Sequence, residues 1–155
     1  MQDKHFIGID PGKKGAIAII NNKSECVLLF DCPLIGDVID AQGISVELEG
    51  FKDNCFALIE KAQAMPGQGV TSMFNYGVGY GIYKGILTAL NIPFQEVSPQ
   101  KWKKEFSLSK DKSLSISTAR QLFPKETVNL TKTKDGRSEA LLIAEYGRRK
   151  FTGGF

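Results

Sequence analysis

Over the first sixty residues, apolar positions fall in short runs broken by turn residues, which predicts strands before helices. "HFIGID", 5–10, is apolar until its last residue, Gly12 to Gly15 form a tight turn, and 15–21 continues as a second apolar run. Asn21-Asn22 turns the chain into "CVLLFDCP", so the three segments predict an antiparallel meander with short loops. Residues 44–53 carry a weak helical period. In "CFALIEKA", 55–62, Phe56 and Leu58 point one way and Cys55, Ala57 and Ile59 the other, which predicts a central strand covered on both faces. "QAMPGQGVTSMF" is punctuated by Pro66, Gly67 and Gly69 and predicts a loop, after which Ser72 is placed to cap a long helix running to Leu90. "IPFQEVS" predicts a short strand. Helices are expected at 99–106 and 110–123, the second stopped by Pro124, then a polar loop at 125–134 and a last helix at 136–149. The "TGGF" tail is expected to be loose.

Strands first, then alternating strand and helix, predict an α/β domain: a mixed β-sheet flanked by helices. The 155 residues suit one domain, 1–155, with no internal repeat and no linker. A hydrophobic content of 42% excludes wholesale disorder. No apolar run approaches the ~20 residues that span a bilayer, so no membrane partner is expected. The N-terminus shows no cleavable signal pattern. The expected setting is intracellular: the cytoplasm of a bacterial or phage-infected cell, or an organelle matrix if this is a processed chain. Cys26, Cys32 and Cys55, with His5 as the one histidine, give neither a disulfide framework nor a zinc site.

The net charge of +3 is modest, but its distribution is not even. Lys101, Lys103, Lys104, Lys110 and Lys112 crowd one segment; Lys132, Lys134, Arg137, Arg148, Arg149 and Lys150 crowd the C-terminus. Each cluster is either a solvated helix face or a surface for a polyanion.

Acids occur where apolar residues are expected. Asp10 and Glu60 both end apolar strands, and if those strands are parallel neighbours their carboxylates converge at one sheet edge, where α/β sheets place their sites. Asp10 could equally begin the turn "DPGKKG", and Glu60 could be an ordinary strand end. Asp135 and Glu139 lie four apart in "KDGRSEALLIAEYGRR", on one helix face if the helix includes Asp135; otherwise Asp135 is an N-cap. The apolar run Ala140 to Ala144 sets Glu139 against the core. Four carboxylates from three segments, without histidine, are oxygen donors suited to Mg²⁺, with Mn²⁺ as a substitute, and to two-metal phosphodiester hydrolysis.

These segments, in order, resemble the RuvC-type Holliday junction resolvases. "FIGIDPGKKGAIAII", "ALIEKAQAMPGQGVTSMFNYGVGYGIYKGIL", "VSPQKWKK", "SKDKS…ARQLFP" and "KDGRSEALLIAEYGRR" carry the likeness over nearly the whole chain, closest to the phage and plastid branch. The resemblance implies an RNase H-like fold, a homodimer, and Mg²⁺-dependent paired nicking of four-way DNA junctions. Asp10 resembles the family's first-strand acid, Glu60 the acid of its "IE" strand, and Glu139 its last acid. The bacterial enzymes carry their third acid three residues before the last, where this chain has Gly136. The phage and plastid branch carries it four before, matching Asp135. Lys112 in "DKS" resembles a lysine near the scissile phosphate, and Lys103 a second basic position.

By the same likeness, Gln63 to Phe74 corresponds to the segment that enters the junction centre. The bacterial aromatic wedge has no direct equivalent, which leaves Met65 or Phe74 for that role and Gln68 and Ser72 to contact an exposed base. With Lys101, Lys103, Lys104 and Lys110 these form the expected DNA-binding set. Gly77, Gly81 and Gly85 form a smooth helical stripe, either a dimer seam or a surface packed on the sheet. Trp102 either stacks on a base or belongs to the core. Two other functions fit parts of the pattern. An actin-like phosphotransferase needs two such domains, more than 155 residues allow. A non-catalytic junction-binding protein of the same fold has no use for four acids.

Overall fold

The computed structural model describes residues 3–61 and 63–152. Ala62, at the end of the expected strand, and residues 153–155 of the expected tail lie outside them. The main sheet is five-stranded. It comprises β1 (His5–Asp10), β2 (Ala16–Asn21), β3 (Cys26–Asp31), β6 (Cys55–Glu60) and β7 (Phe94–Val97). β1, β2 and β3 form the antiparallel meander, while β6 runs parallel to β1 and β7 parallel to β6.

Side chains alternate across a strand, so each strand contributes to two cores. Phe6, Ala16, Ala18, Ile20, Phe56 and Leu58 face one way and pack beneath α5 (Asp135–Phe151), with α3 (Pro99–Glu105) and α4 (Lys112–Leu122) beside it. Ile7, Ile9, Ile17, Ile19, Ala57 and Ile59 face the other way, under α1 (Ala41–Glu49) and α2 (Val70–Ala89). Full burial of such a side chain contributes roughly 1.5–3 kcal/mol, so both faces of the sheet hold it in place. The result is the mixed, helix-flanked sheet of the RNase H-like fold.

α5 lies unusually close to the sheet. A Cβ on Gly8 would sit 2.1 Å from the Ala140 carbonyl oxygen, and one on Gly136 would sit 2.7 Å from the Lys14 carbonyl oxygen. Arg137 secures the same end of α5 through two hydrogen bonds to Asp31, of 2.8 and 3.0 Å, at the end of β3.

Several boundaries differ from the sequence-based expectation. A small hairpin, β4 (Leu34–Ile35) with β5 (Val38–Ile39), follows β3; Gly36 takes φ +62 in its turn. α1 begins at Ala41, not at 44, because the Asp40 side chain accepts the Gly43 N–H at 2.9 Å and starts the helix early. α2 begins at Val70 with Gly69 in the N-cap position, so Ser72 is inside the helix and does not cap it. The Gly69 carbonyl accepts the Met73 N–H at 3.0 Å, closing the first turn ahead of Ser72. The expected polar loop at 125–134 is mostly two 3₁₀ turns, Pro124–Asn129 and Lys132–Lys134.

Candidate active site

β1 and β6 pair in parallel with Ile9 opposite Ile59, so Asp10 and Glu60 are the next residues of each strand. Both continue the parity of Phe6-Gly8 and Phe56-Leu58 and therefore face α5. Glu139 faces them one helical turn into α5. Asp10, Glu60 and Glu139 each offer a carboxylate oxygen, and these oxygens lie within 4.8 Å of one another. All three residues are partly buried, at the edge of the core but open on one side.

The hairpin after β1 holds Asp10 rigidly. Gly12 N–H donates to the Asp10 carbonyl at 3.1 Å, and a Cβ on Gly15 would lie 1.9 Å from that same oxygen. Asp10 thus does two things at once: its backbone begins the turn while its side chain joins the acid cluster. Burial, then the negative charges of Glu139 and Glu60, hold the Asp10 carboxyl well above the usual carboxylate range. Burial also raises Glu60; a hydrogen bond from the Trp102 indole N–H to Glu60 Oε2, at 2.7 Å, offsets part of that rise. Three hard oxygen donors crowded by mutual repulsion are a suitable donor set for Mg²⁺ or Mn²⁺.

Asp135 is the first residue of α5 and not its N-cap; that position is Lys134, whose side chain does not cap the helix. Asp135 stands apart from the three-acid group and is hydrogen-bonded to the Lys112 ammonium, which raises the lysine pKa. Gly136, where the bacterial pattern has its acid, has no room for one: Lys14 and Gly15 backbone atoms lie 2.7 and 3.0 Å from where its Cβ would be. On this chain an acid at the start of α5 fits at Asp135.

The basic segment divides. Lys103, Lys104 and Lys110 line a groove of about 690 Å³ with Gln100, Ser107 and Ser109, whereas Lys101 is exposed outside it. Lys103 also lies close enough to Glu60 to lower its pKa. Among the described residues, no carboxylate forms an ion pair with Lys101, Lys103, Lys104 or Lys110. The C-terminal cluster differs. Arg148 and Arg149 pair with the buried Glu145, Arg149 and Lys150 with Glu105, and Lys134 and Arg137 with Asp31. Those charges largely secure the fold.

Met65 and Gln68 occupy the loop, with Pro66 and Gly67 (φ +81) between them and a Gln68 N–H donating to the Met65 carbonyl at 3.2 Å. That is the arrangement of a type II turn. Met65 is 59% exposed and Phe74, now in the first turns of α2, is 70% exposed, so neither packs beneath the loop. Ser72 lines a second groove, of about 380 Å³, with Lys13, Lys14, Asn75 and Tyr76. Gly77, Gly81 and Gly85 are exposed, with open space where a Cβ would be, so the stripe is not packed on the sheet; Gly79 is the closely packed glycine of this helix, against Ile39 of the β4–β5 hairpin.

The sequence reading missed Tyr76. Burial, then Glu60, Asp10 and Glu139, pushes its phenol up to about 12, which sets a neutral hydroxyl beside the acids. The signal was present: Tyr76, Tyr83 and Leu87 are spaced by seven and four residues, one face of α2, with Tyr83 and Leu87 buried.

No protein-family model matches the sequence, and no curated protein does. The fold does have solved neighbours. A Thermus thermophilus RuvC in complex with a Holliday junction substrate superposes with a TM-score of 0.66 at 10% identity, over 96% of this chain and 97% of that one. A second Thermus thermophilus RuvC structure gives 0.60 at 10% identity, over 94% and 95%. The likeness spans both chains almost end to end and shows a shared fold. No described helix is long and apolar enough to cross a membrane.

Proposed function

We propose that this protein is a structure-specific endonuclease of a single nuclease domain that resolves four-way DNA junctions by paired symmetric nicks. The observation that carries the reading is the meeting of Asp10, Glu60 and Glu139 within 4.8 Å, at a sheet edge flanked by unpaired lysines, on a RuvC fold. The neighbour bound to a Holliday junction supports the choice of substrate. The sequence motifs support the phage and plastid branch, chiefly through Asp135.

Asp10, Glu60 and Glu139 would hold divalent ions, Mg²⁺ or Mn²⁺, with Asp135 joining them once Lys112 moves away. Such ions supply the charge that activates an attacking water and stabilises a leaving 3′-oxygen. The chain's own residues do the rest. β1 and its closed hairpin fix Asp10 at the centre. Lys112, exposed along most of its length, is free to exchange Asp135 for a phosphate oxygen. Lys101, Lys103, Lys104 and Lys110 bind the DNA backbone and set the salt dependence of affinity. Tyr76 remains protonated and offers a hydrogen bond beside the acids. Met65 or Phe74 occupies the space where bases unstack, and Gln68 and Ser72 contact a base edge.

Two nicks in opposed strands require two such sites related by a two-fold axis, hence a homodimer. The exposed Gly77-Gly81-Gly85 stripe, bordered by the exposed Phe74 and Val78, is the seam that fits. Glu60→Gln and Glu139→Gln each test the reading: nicking of a synthetic junction should be abolished with junction binding kept. If both variants still nick at the wild-type rate, the acid cluster is not the catalytic centre. If the wild type binds junctions but never nicks them, the protein is a junction-binding module of the same fold.

A further inference from the structure

Trp102 is the chain's one tryptophan and is completely buried, in the core between α3 and the sheet. Packing alone does not call for an indole there, since a buried N–H without an acceptor carries a penalty that Phe or Leu avoids. The N–H has an acceptor, and it is Glu60 Oε2 at 2.7 Å. We infer that Trp102 is a positioning residue: its indole N–H holds the Glu60 carboxylate in the one orientation from which it meets Asp10 and Glu139 as a ligand. The inference rests on the metal-centre reading above and adds to it a residue that touches neither metal nor DNA.

Three features support the assignment. Glu60 is at the last position of its strand, where a glutamate has three side-chain torsions and strong repulsion from two neighbouring acids. A fixed donor on one oxygen removes that freedom and leaves the other oxygen turned towards the two acids. The donor is itself immobile: α3 is started by the Ser98 side chain, which accepts the Lys101 N–H, with Pro99 at its first position. The same short helix presents Lys101, Lys103 and Lys104, and the Lys103 ammonium lies 5.5 Å from the indole ring centre. DNA contacts and the orientation of Glu60 therefore depend on one rigid element. Outer partners of metal ligands of this kind typically alter metal affinity or activity by about 10- to 100-fold when removed.

The test replaces Trp102 by β-(3-benzothienyl)alanine, which keeps the bicyclic shape and loses only the N–H, with Trp102→Phe as a second variant. Mn²⁺ binding to the DNA-free protein is measured by electron paramagnetic resonance, alongside thermal stability and single-turnover nicking. The benzothienyl protein should melt like the wild type, bind Mn²⁺ about ten-fold more weakly, and nick more slowly at subsaturating metal, with recovery as metal is raised. In the wild type, the single indole N–H resonance should shift as Mg²⁺ is added and should also move in Glu60→Ala. Unchanged Mn²⁺ affinity in the benzothienyl protein, or an indole resonance indifferent to both Mg²⁺ and Glu60→Ala, overturns the inference. Failure of the metal-centre reading itself looks different: the wild type then shows no saturable Mn²⁺ binding, and both proposals fall.

Discussion

The Lys112 ammonium rests on the Asp135 carboxylate, so the first acid of α5 is held by a cation while the other three acids face one another. The lysine side chain is 69% exposed, and an exposed pair of this kind contributes only about 0.2–1 kcal/mol, little enough for the lysine to leave readily. Lys112→Met should therefore shift two quantities in opposite directions. Mg²⁺ affinity rises by up to about five-fold, the equivalent of that pair energy. Junction nicking falls by about 10²-fold, the usual effect of removing one donor from a developing charge. Calorimetric Mg²⁺ titration and single-turnover nicking check the two signs; an unchanged nicking rate removes Lys112 from the mechanism.

Asp10 is held protonated to a higher pH in the folded chain than the usual carboxylate value of about 3.9 in an unfolded one. The sign follows from proton linkage. The stability this group contributes is complete below about pH 4 and is lost as pH rises through the raised value, so at neutral pH without metal the ionised Asp10 weakens the fold. Asp10→Asn should raise metal-free stability at pH 7.5 by about 1–2 kcal/mol, a common gain when a functional site is neutralised. In melting temperature that is roughly 3–6 °C for a domain of this size. The gain should shrink towards pH 4 and shrink again with Mg²⁺ on the wild type. Melting curves from pH 4 to 8 decide it; a variant less stable at pH 7.5 than at pH 4, relative to wild type, contradicts the charge argument.

Gly136 is fixed by the close approach of α5 to the β1–β2 turn. The atoms a Cβ would meet are backbone atoms of Lys14 and Gly15, which cannot swing aside. Gly136→Ala should destabilise the protein by about 1–3 kcal/mol, as overpacking usually does. Gly136→Asp should not restore nicking to Asp135→Asn. Chemical denaturation of the alanine variant checks the first statement; a midpoint equal to wild type would show that α5 has room to move.

Met65 is exposed in the loop that joins β6 to α2, and Phe74 is exposed in the first turns of α2. Replacing both with alanine should leave stability within about 0.5 kcal/mol, as for other surface substitutions. Unstacking a base step takes a few kcal/mol, which an inserted apolar side chain helps offset. The double variant should lose the 2-aminopurine signal of unstacking at the junction centre and most of its preference for junctions over duplex. Retention of both signals assigns recognition to other residues.

The meander, the doubly covered β6 strand and the final helix were legible because their apolar spacing is regular and their turns carry Pro, Gly and Asn. The convergence of Asp10 and Glu60 was legible too, since both are acids where the strand parity calls for an apolar residue. The early starts of α1 and α2 were not. The Asp40 cap precedes a segment with only a weak helical period, and Gly69 begins α2 through its carbonyl, a role its residue type does not announce. The hairpin at 34–39 is too short for a period-two pattern, and only Gly36-Asp37 marks it. The pairing of Lys112 with Asp135 and of Trp102 with Glu60 is invisible in sequence, because each joins segments whose meeting depends on how α3, α4 and α5 pack. The C-terminal basic cluster misleads partly for the same reason: Asp31 and Glu105 reach it only in three dimensions, whereas Glu145 lies three and four residues before Arg148 and Arg149 on the same helix.

The central claim is tested most directly on a synthetic four-way junction with each strand labelled in turn, incubated with the wild-type protein and Mg²⁺, with products mapped to the nucleotide. Paired nicks should appear in two opposed strands at symmetry-related positions, be absent without divalent metal, and be absent with Asp10→Asn despite normal binding. Tight junction binding without any nick, in Mg²⁺ and in Mn²⁺ alike, would contradict the account.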